Sequence, residues 1–327
     1  MKLLIAIHHR FNLWIAPLWW VERLRQEFPQ LTVVQLTDYE RVAEEVRDAD
    51  IVIGWSIRGE QIEAAKKLRW IHSTAAAVHS LITPELQASD IVVTSARAVH
   101  GPVVAEHAMA LVFAMAKRLP AAAKFQAQRH WAQQDMWETT PRPRELRDSS
   151  MVIVGLGAIG SALAQLAKAI GMRVIAVREH PQKGNGDADR VVGFESLDDV
   201  LPEGDFVVLA APVTPKTRNL MNAERLTLLK PSAYLINVAR GSLIDEDALL
   251  HALHANQFAG AALDVVGQEP LPTHSPLWVM DKVFITPHSA GLAEKLWERQ
   301  YENFAENLRR FLAGQPLLWT VDKHAGY

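Results

Sequence analysis

Met-Val-Ile-Val-Gly-Leu-Gly-Ala-Ile-Gly, residues 151–160, is the stretch whose reading decides the fold. A short apolar strand runs directly into three glycines, and each has its own physical task. Gly155 permits a tight turn, Gly157 lets the backbone approach a phosphate, and Gly160 allows the next helix to pack closely on the strand. The start of that helix offers N–H groups that suit an anion. Together they predict a site for the pyrophosphate of NAD or NADP. A glycine-rich structural turn is the competing reading, and a lone motif would not exceed it. The context does, because Leu163, Leu166, Ala167 and Ile170 follow at helical spacing and Met172 to Val177 reads as the next buried strand.

Outward from this motif, strand and helix patterns alternate, with strands at Met151–Val154, Arg173–Val177, Phe206–Leu209, Ala233–Asn237, Gly260–Leu263 and Val283–Thr286. The first hundred residues show a similar set, Leu3–Ile7, Leu31–Leu36, Ile51–Gly54, Arg69–Ser73 and Ile91–Thr94. Helical stretches at Pro17–Phe28, Tyr39–Arg47 and Gly59–Lys67 separate them. Such alternation implies parallel sheets with helices on both faces. Between the two sets a helix is predicted over Val103–Leu119, with Val104, Ala108, Leu111, Val112, Met115 and Leu119 on one apolar face and Pro102 suiting its first turn. Residues 126–147, rich in Gln, Trp, Pro and Arg, show no clear period and read as an exposed arm or linker. A last amphipathic helix, about Leu292 to Leu312, turns Leu296, Phe304, Leu308 and Phe311 inward.

The 327 residues are 49% hydrophobic and 22% charged, which is enough to bury a large core and to form two domains. A formal net charge of −3 lends no electrostatic support to a nucleic-acid or anionic-membrane partner. With no cysteine, disulfides and thiolate chemistry are excluded together. The apolar start, Lys2 to Ile7, is too short for a signal peptide core, and no apolar run approaches a membrane span. A cytoplasmic protein without a membrane partner is therefore expected, and no metal site is read.

Several separated segments resemble the D-isomer-specific 2-hydroxyacid dehydrogenase family. They are 155–160, Ala-Pro-Val-Thr-Pro-Lys-Thr-Arg (211–218), Asn-Val-Ala-Arg-Gly-Ser-Leu-Ile-Asp (237–245), Ala-Leu-Asp-Val-Val-Gly-Gln-Glu-Pro-Leu-Pro (262–272) and Thr-Pro-His-Ser-Ala-Gly (286–291). Val-Ala-Glu-His-Ala (104–108) and the ending Val-Asp-Lys-His-Ala-Gly-Tyr also resemble it, and the likeness is weakest over the first hundred residues. The resemblance implies an α/β protein of two doubly wound parallel-sheet domains, a Rossmann cofactor domain (99–291) inserted in a flavodoxin-like catalytic domain (1–98 plus 292–327), with a cleft between them. It implies a homodimer through the cofactor domain, here using Val103–Leu119 and the 126–147 arm. Some of Trp14, Trp19, Trp20, Trp131 and Trp137 are expected between subunits.

Reducing a 2-keto acid to a D-2-hydroxy acid requires a hydride donor, a proton donor for the carbonyl oxygen, and a cation for the carboxylate. Arg240 follows a buried strand, at the carboxyl end where open α/β sheets bind ligands, and its fork suits a carboxylate. By resemblance, His288 is the proton donor and Glu269 its paired acid, which orients the ring and favours its charged form. Without the motif, a solvated or structural histidine and a solvated loop acid would be the better readings. The resemblance further assigns Asp264 to the nicotinamide carboxamide. Gly155, Gly157, Ala158, Ile159, Gly160, Ala211, Pro212, Thr217, Val238, Ala239, Arg240, His288, Ala290 and Gly291 become the cofactor's surroundings. Arg178 stands where an NAD enzyme usually has an acid for the ribose, which favours NADP over NAD; the adjacent Glu179 leaves the NAD reading open.

Three loops of the first domain, His8-His9-Arg10, Trp55-Ser56-Ile57-Arg58 and Thr74-Ala75-Ala76-Ala77-Val78, follow strand ends and are expected to face the cleft and set substrate choice. Trp55, Ala75, Ala76 and Ala77, with Arg240 and His288, are the expected substrate contacts. The third loop usually carries glycine in the family. Alanines here require that it avoid positive φ or accept strain. Glyoxylate or hydroxypyruvate would suit such a reductase. A cofactor-sensing interaction protein of the corepressor kind, on the same fold, is the alternative; the chain shows no added tail after its last helix, and Arg240, Glu269 and His288 are all present.

Overall fold

Continuous apolar runs without polar alternation are what a parallel sheet covered on both faces demands, and such runs build both sheets of this protein. The computed structural model describes every residue of 1–327 except Arg10, Thr37, Ala77, His79, Ala325 and Tyr327. The chain divides into two units, one formed by Met1–His100 with Ala293–Tyr327, the other by Gly101–Leu292.

In the first unit, strands β1 (Lys2–Ile5), β2 (Thr32–Gln35), β3 (Ile51–Ile53), β4 (Trp70–Ser73) and β5 (Val92–Ser95) form a parallel sheet ordered β2-β1-β3-β4-β5. Alternate residues serve opposite faces, as strand geometry requires. Leu3, Ile5, Ile51, Ile53 and Trp70 join one core cluster, while Leu4, Val52, Ile71 and Val93 join the other. The final helix, Leu296–Leu312, packs on the first of these through Tyr301, Phe304 and Leu308. Trp20 is fully buried there, its ring 6.0 Å from that of Phe304, so it is core of this unit and not a surface for a second subunit.

The second unit holds β6 (Ser150–Val154), β7 (Arg173–Val177), β8 (Arg190–Val192), β9 (Phe206–Leu209), β10 (Tyr234–Asn237), β11 (Gly260–Leu263) and β12 (Val283–Ile285). They form one parallel sheet ordered β12-β11-β10-β9-β6-β7-β8. Strand order reverses between β6 and β9 here and between β1 and β3 in the first unit. At these switch points the loops at the carboxyl ends part, and open α/β sheets place their ligands there.

Three expectations change. The helix over residues 103–119 in fact spans Arg97–Ala116, so Pro102 lies in its interior and not in its first turn, giving no N–H to the carbonyl four residues back. By length and composition this helix is apolar enough to cross a membrane, contrary to the sequence reading. Its apolar side nevertheless packs in the second unit's core through Ala105, Ala108, Leu111 and Val112. The arm at 126–147 is not without structure: a helix Leu119–Ala127 runs into it, and a short one, Gln133–Glu138, lies within it. Strand β8 and the breakup of 39–47 into a four-residue helix and a 3-10 turn were also not anticipated.

Candidate active site

The turn after β6 has the shape its glycines foretell. Gly155 sits at φ 104°, and a Cβ there would press on the backbone of Ala210 and Ala211 after β9. A Cβ on Gly160 would collide with the Gly155 carbonyl, whereas one on Gly157 would meet open space. The helix Ala158–Ala169 starts at Gly157 without a side-chain cap, which leaves first-turn N–H groups of Ala158, Ile159 and Gly160 for a ligand. The turn at the switch point thus fits a dinucleotide pyrophosphate on its own geometry.

Around it stand the loops after the neighbouring strands. Ala211 and Pro212 follow β9; Thr217, buried in the same loop, donates its hydroxyl to Pro212 O at 2.7 Å and accepts from Thr214 N at 2.7 Å. Its side chain therefore shapes the loop that closes on Gly155. Arg178, just past β7, reaches Gly184 O at 3.3 Å. Glu179 next to it is paired with Lys216 at 2.8 Å, and that ammonium holds its carboxyl below the usual range.

After β10, Val238, Ala239 and Arg240 form a turn fastened by Asn237. The Asn237 amide donates to Arg240 O at 2.9 Å and accepts from Ala239 N at 3.0 Å. Arg240 Nη1 donates to Ala239 O at 2.6 Å. Burial draws its guanidinium down from the ordinary value while Glu269 opposes that shift, and an arginine remains cationic throughout. The carbonyl of Val266 occupies the space a side chain on Gly241 would need, so the loop bearing Glu269 approaches the Arg240 turn closely.

Glu269 Oε2 lies 2.6 Å from His288 Nδ1. Burial pushes the Glu269 carboxyl up, but the His288 ring, the Val266 N–H and the Arg240 guanidinium outweigh it and hold the group below its usual range. The ring of His288 is 46% exposed. Among the described residues its Nε2 has no hydrogen-bond partner. The turn that carries it is held by Asp264. The N–H of His288 donates to Asp264 O at 2.8 Å, and the Asp264 carboxylate accepts from Thr286 Oγ1 (2.6 Å), Ser289 N (2.9 Å) and Ala290 N (3.0 Å). Gly291 follows at the end of this turn. The carboxylate that the resemblance gave to the carboxamide is thus first a brace for the His288 turn, with acceptor capacity remaining on Oδ2.

In the first unit, Trp55 follows β3, partly buried against the core, with its ring 6.2 Å from that of His9. Ala75 and Ala76 follow β4, and neither is at positive φ, so the alanines avoid the strain that glycine would have relieved. Ala75 N donates to Ser73 Oγ at 3.2 Å. Thr74 O accepts from Gln300 Nε2 at 2.8 Å and lies 3.3 Å from His100 Nε2. Ala77 and Arg10 lie outside the described residues. Asn237, His107, Thr286, Gln300 and Lys216 were not singled out by sequence reasoning, although all but Gln300 stand inside segments that carry the resemblance. Among the described residues no group of three or more His, Asp or Glu side chains is placed to hold a metal ion.

Burial pushes the Asp264 carboxyl up, but its hydrogen bonds, first those from His107 and Thr286, hold it below the usual range. A native pKa below the unfolded one adds stability that is complete above the unfolded value, about 3.9, and is lost as pH falls through the native one. Thermal midpoints measured while pH is lowered from about 6 to 3 should therefore fall less steeply in Asp264→Ala than in the wild type, from a lower start. Parallel lines for the two proteins would show that folding does not lower the pKa of this carboxylate.

The description "D-isomer specific 2-hydroxyacid dehydrogenase, NAD binding domain" belongs to a family model that matches residues 109–290. Glyoxylate reductase of Pyrococcus furiosus is 33% identical over 285 residues, 84% of this chain and 83% of that protein. D-3-phosphoglycerate dehydrogenase of Synechocystis is 36% identical over 256 residues, 78% of this chain but 45% of that longer protein. The crystal structure of a D-isomer specific 2-hydroxyacid dehydrogenase from Xanthobacter autotrophicus, in complex with NADPH and MES, superposes with a TM-score of 0.82 at 30% identity, covering 100% of this chain and 99% of that one. With the glycine turn, two parallel sheets and these likenesses in agreement, the chain belongs to the D-isomer specific 2-hydroxyacid dehydrogenase family, nicotinamide-dependent oxidoreductases that act on CH–OH groups.

Proposed function

We propose that this protein reduces small 2-keto acids, glyoxylate or hydroxypyruvate in kind, to D-2-hydroxy acids, with NADPH preferred to NADH. The observation that carries the reading is the 2.6 Å pairing of His288 Nδ1 with Glu269, which turns Nε2 of a half-exposed ring toward solvent and any substrate. Glu269, kept ionised, accepts a hydrogen bond from Nδ1–H, and in the doubly protonated ring Nε2–H is the donor to the carbonyl oxygen. Arg240 grips the carboxylate and polarises the carbonyl with a charge partly withdrawn from water, where it acts more strongly. The nicotinamide, when bound, supplies the hydride. Trp55, Ala75, Ala76 and Ala77 bear on which side chain the substrate carries.

Support for NADP comes from the end of β7. Lys216 engages Glu179, the one acid adjacent to Arg178, so the guanidinium would meet a 2′-phosphate with that carboxylate already paired. The relative whose crystal structure contains NADPH agrees with this choice. We further propose a homodimer built on the helix Arg97–Ala116 and the arm after it, where Phe113, Leu119, Trp131 and Trp137 are exposed, Trp131 by 89%.

Absorbance assays with glyoxylate and hydroxypyruvate are expected to show faster oxidation of NADPH than of NADH, and Arg178→Ala should raise the KM for NADPH at least about tenfold while sparing NADH, as loss of a charged phosphate contact does. Activity with NADH alone would move the ribose contact to Glu179. Silence with both, despite measurable cofactor binding, would favour the sensing alternative. Light scattering should give twice the chain mass; the mass of one chain would refute the dimer.

A further inference from the structure

Beneath the proposed proton donor lies a partly buried polar chain to which no step has been assigned. The Asp264 side chain is 1% exposed. Thr286 Oγ1 sits 2.6 Å from Asp264 Oδ1, and a carboxylate only accepts, so the hydroxyl spends its single proton there. Its oxygen is then left as an acceptor. His107 Nε2, on the helix Arg97–Ala116, is 3.0 Å from that oxygen and 3.4 Å from Asp264 Oδ1, so it must carry a proton and donate it. The chain therefore has one direction, from His107 N–H through the Thr286 hydroxyl to the Asp264 carboxylate.

What this chain holds is the turn bearing His288. That residue is at φ 51°, in the left-handed region that side chains with a Cβ rarely adopt, and such a conformation persists only where its surroundings over-determine it. Its own N–H is fixed by Asp264 O and Thr286 O, and the next two N–H groups, of Ser289 and Ala290, end on the Asp264 carboxylate. We infer that His107 is a positioning residue for His288. Acting through Thr286 and Asp264, it fixes the 286–290 turn and thereby the aim of the ring at Glu269. The inference rests on the reading of His288 as proton donor.

Two variants test it: His107→Leu, which removes the donor at similar bulk, and His107→Gln, which keeps an N–H donor at similar reach. Amide hydrogen exchange of the segment 283–292 is followed by mass spectrometry, and kcat and KM are measured with NADPH and the best 2-keto acid. Leucine should speed exchange at His288, Ser289 and Ala290 and lower kcat about tenfold to a hundredfold with the KM for NADPH unchanged, and glutamine should restore both to within about threefold. Unchanged exchange and kcat in His107→Leu would overturn the proposal. So would a glutamine variant as impaired as the leucine one, since the ring would then matter only for packing. If the wild type reduced no 2-keto acid, the reading of His288 would fall, and the exchange measurement alone would still decide whether His107 fixes the turn.

Discussion

One buried carboxylate organises the carboxyl edge of the second sheet. A charge removed from water is tolerated only when its lone pairs are filled, and Asp264 fills them from one neighbouring turn, through Thr286, Ser289 and Ala290, with His107 of the helix Arg97–Ala116 beside them. Its main chain extends the same discipline, giving its N–H to Asn237 O and taking that of His288. Asn237 in turn ties down the Arg240 turn with its amide. The ends of three adjacent strands are thus locked together, and the guanidinium, the imidazole and the carboxylate of Glu269 are set on supports that cannot move independently.

Topology explains why these groups gather where they do. Strands covered on both faces are mostly apolar along their length, so polar chemistry gathers in the loops at their ends. The reversal of strand order between β6 and β9 parts those loops, and the absence of side chains at Gly155 and Gly160 lets backbone, helix start and the Ala211 loop approach one another. The first unit repeats the arrangement, with Trp55 and the alanine loop following β3 and β4 beside its own reversal. There, the Thr74 carbonyl is held by Gln300 of the final helix, which belongs to that unit despite its distance in sequence.

Much of this was legible in the residues. Arg173–Val177, Phe206–Leu209 and Gly260–Leu263 were read to the residue, because each carries a short apolar run without polar alternation. The glycine turn was legible because every glycine answers a separate steric demand. Strand β8 was missed because three residues at a sheet edge carry too little pattern, and the start of the helix Arg97–Ala116 was misplaced because Pro102 imitates a first-turn residue. Trp20 gave no sign of its place, since a buried tryptophan looks alike in a core and in an interface. The pairing of Lys216 with Glu179 and of His107 with Thr286 joins residues 37 and 179 apart in sequence, a relation that only the folded chain brings into being.

The central claim is that His288 gives the proton while the glycine turn holds the cofactor, and replacing the imidazole separates the two. In His288→Ala, turnover of a 2-keto acid and the NADPH dissociation constant would be measured on the same preparation. The account predicts a loss of kcat of about a hundredfold to ten-thousandfold with NADPH binding within about twofold of the wild type. Near-normal turnover would contradict it and remove His288 from the mechanism.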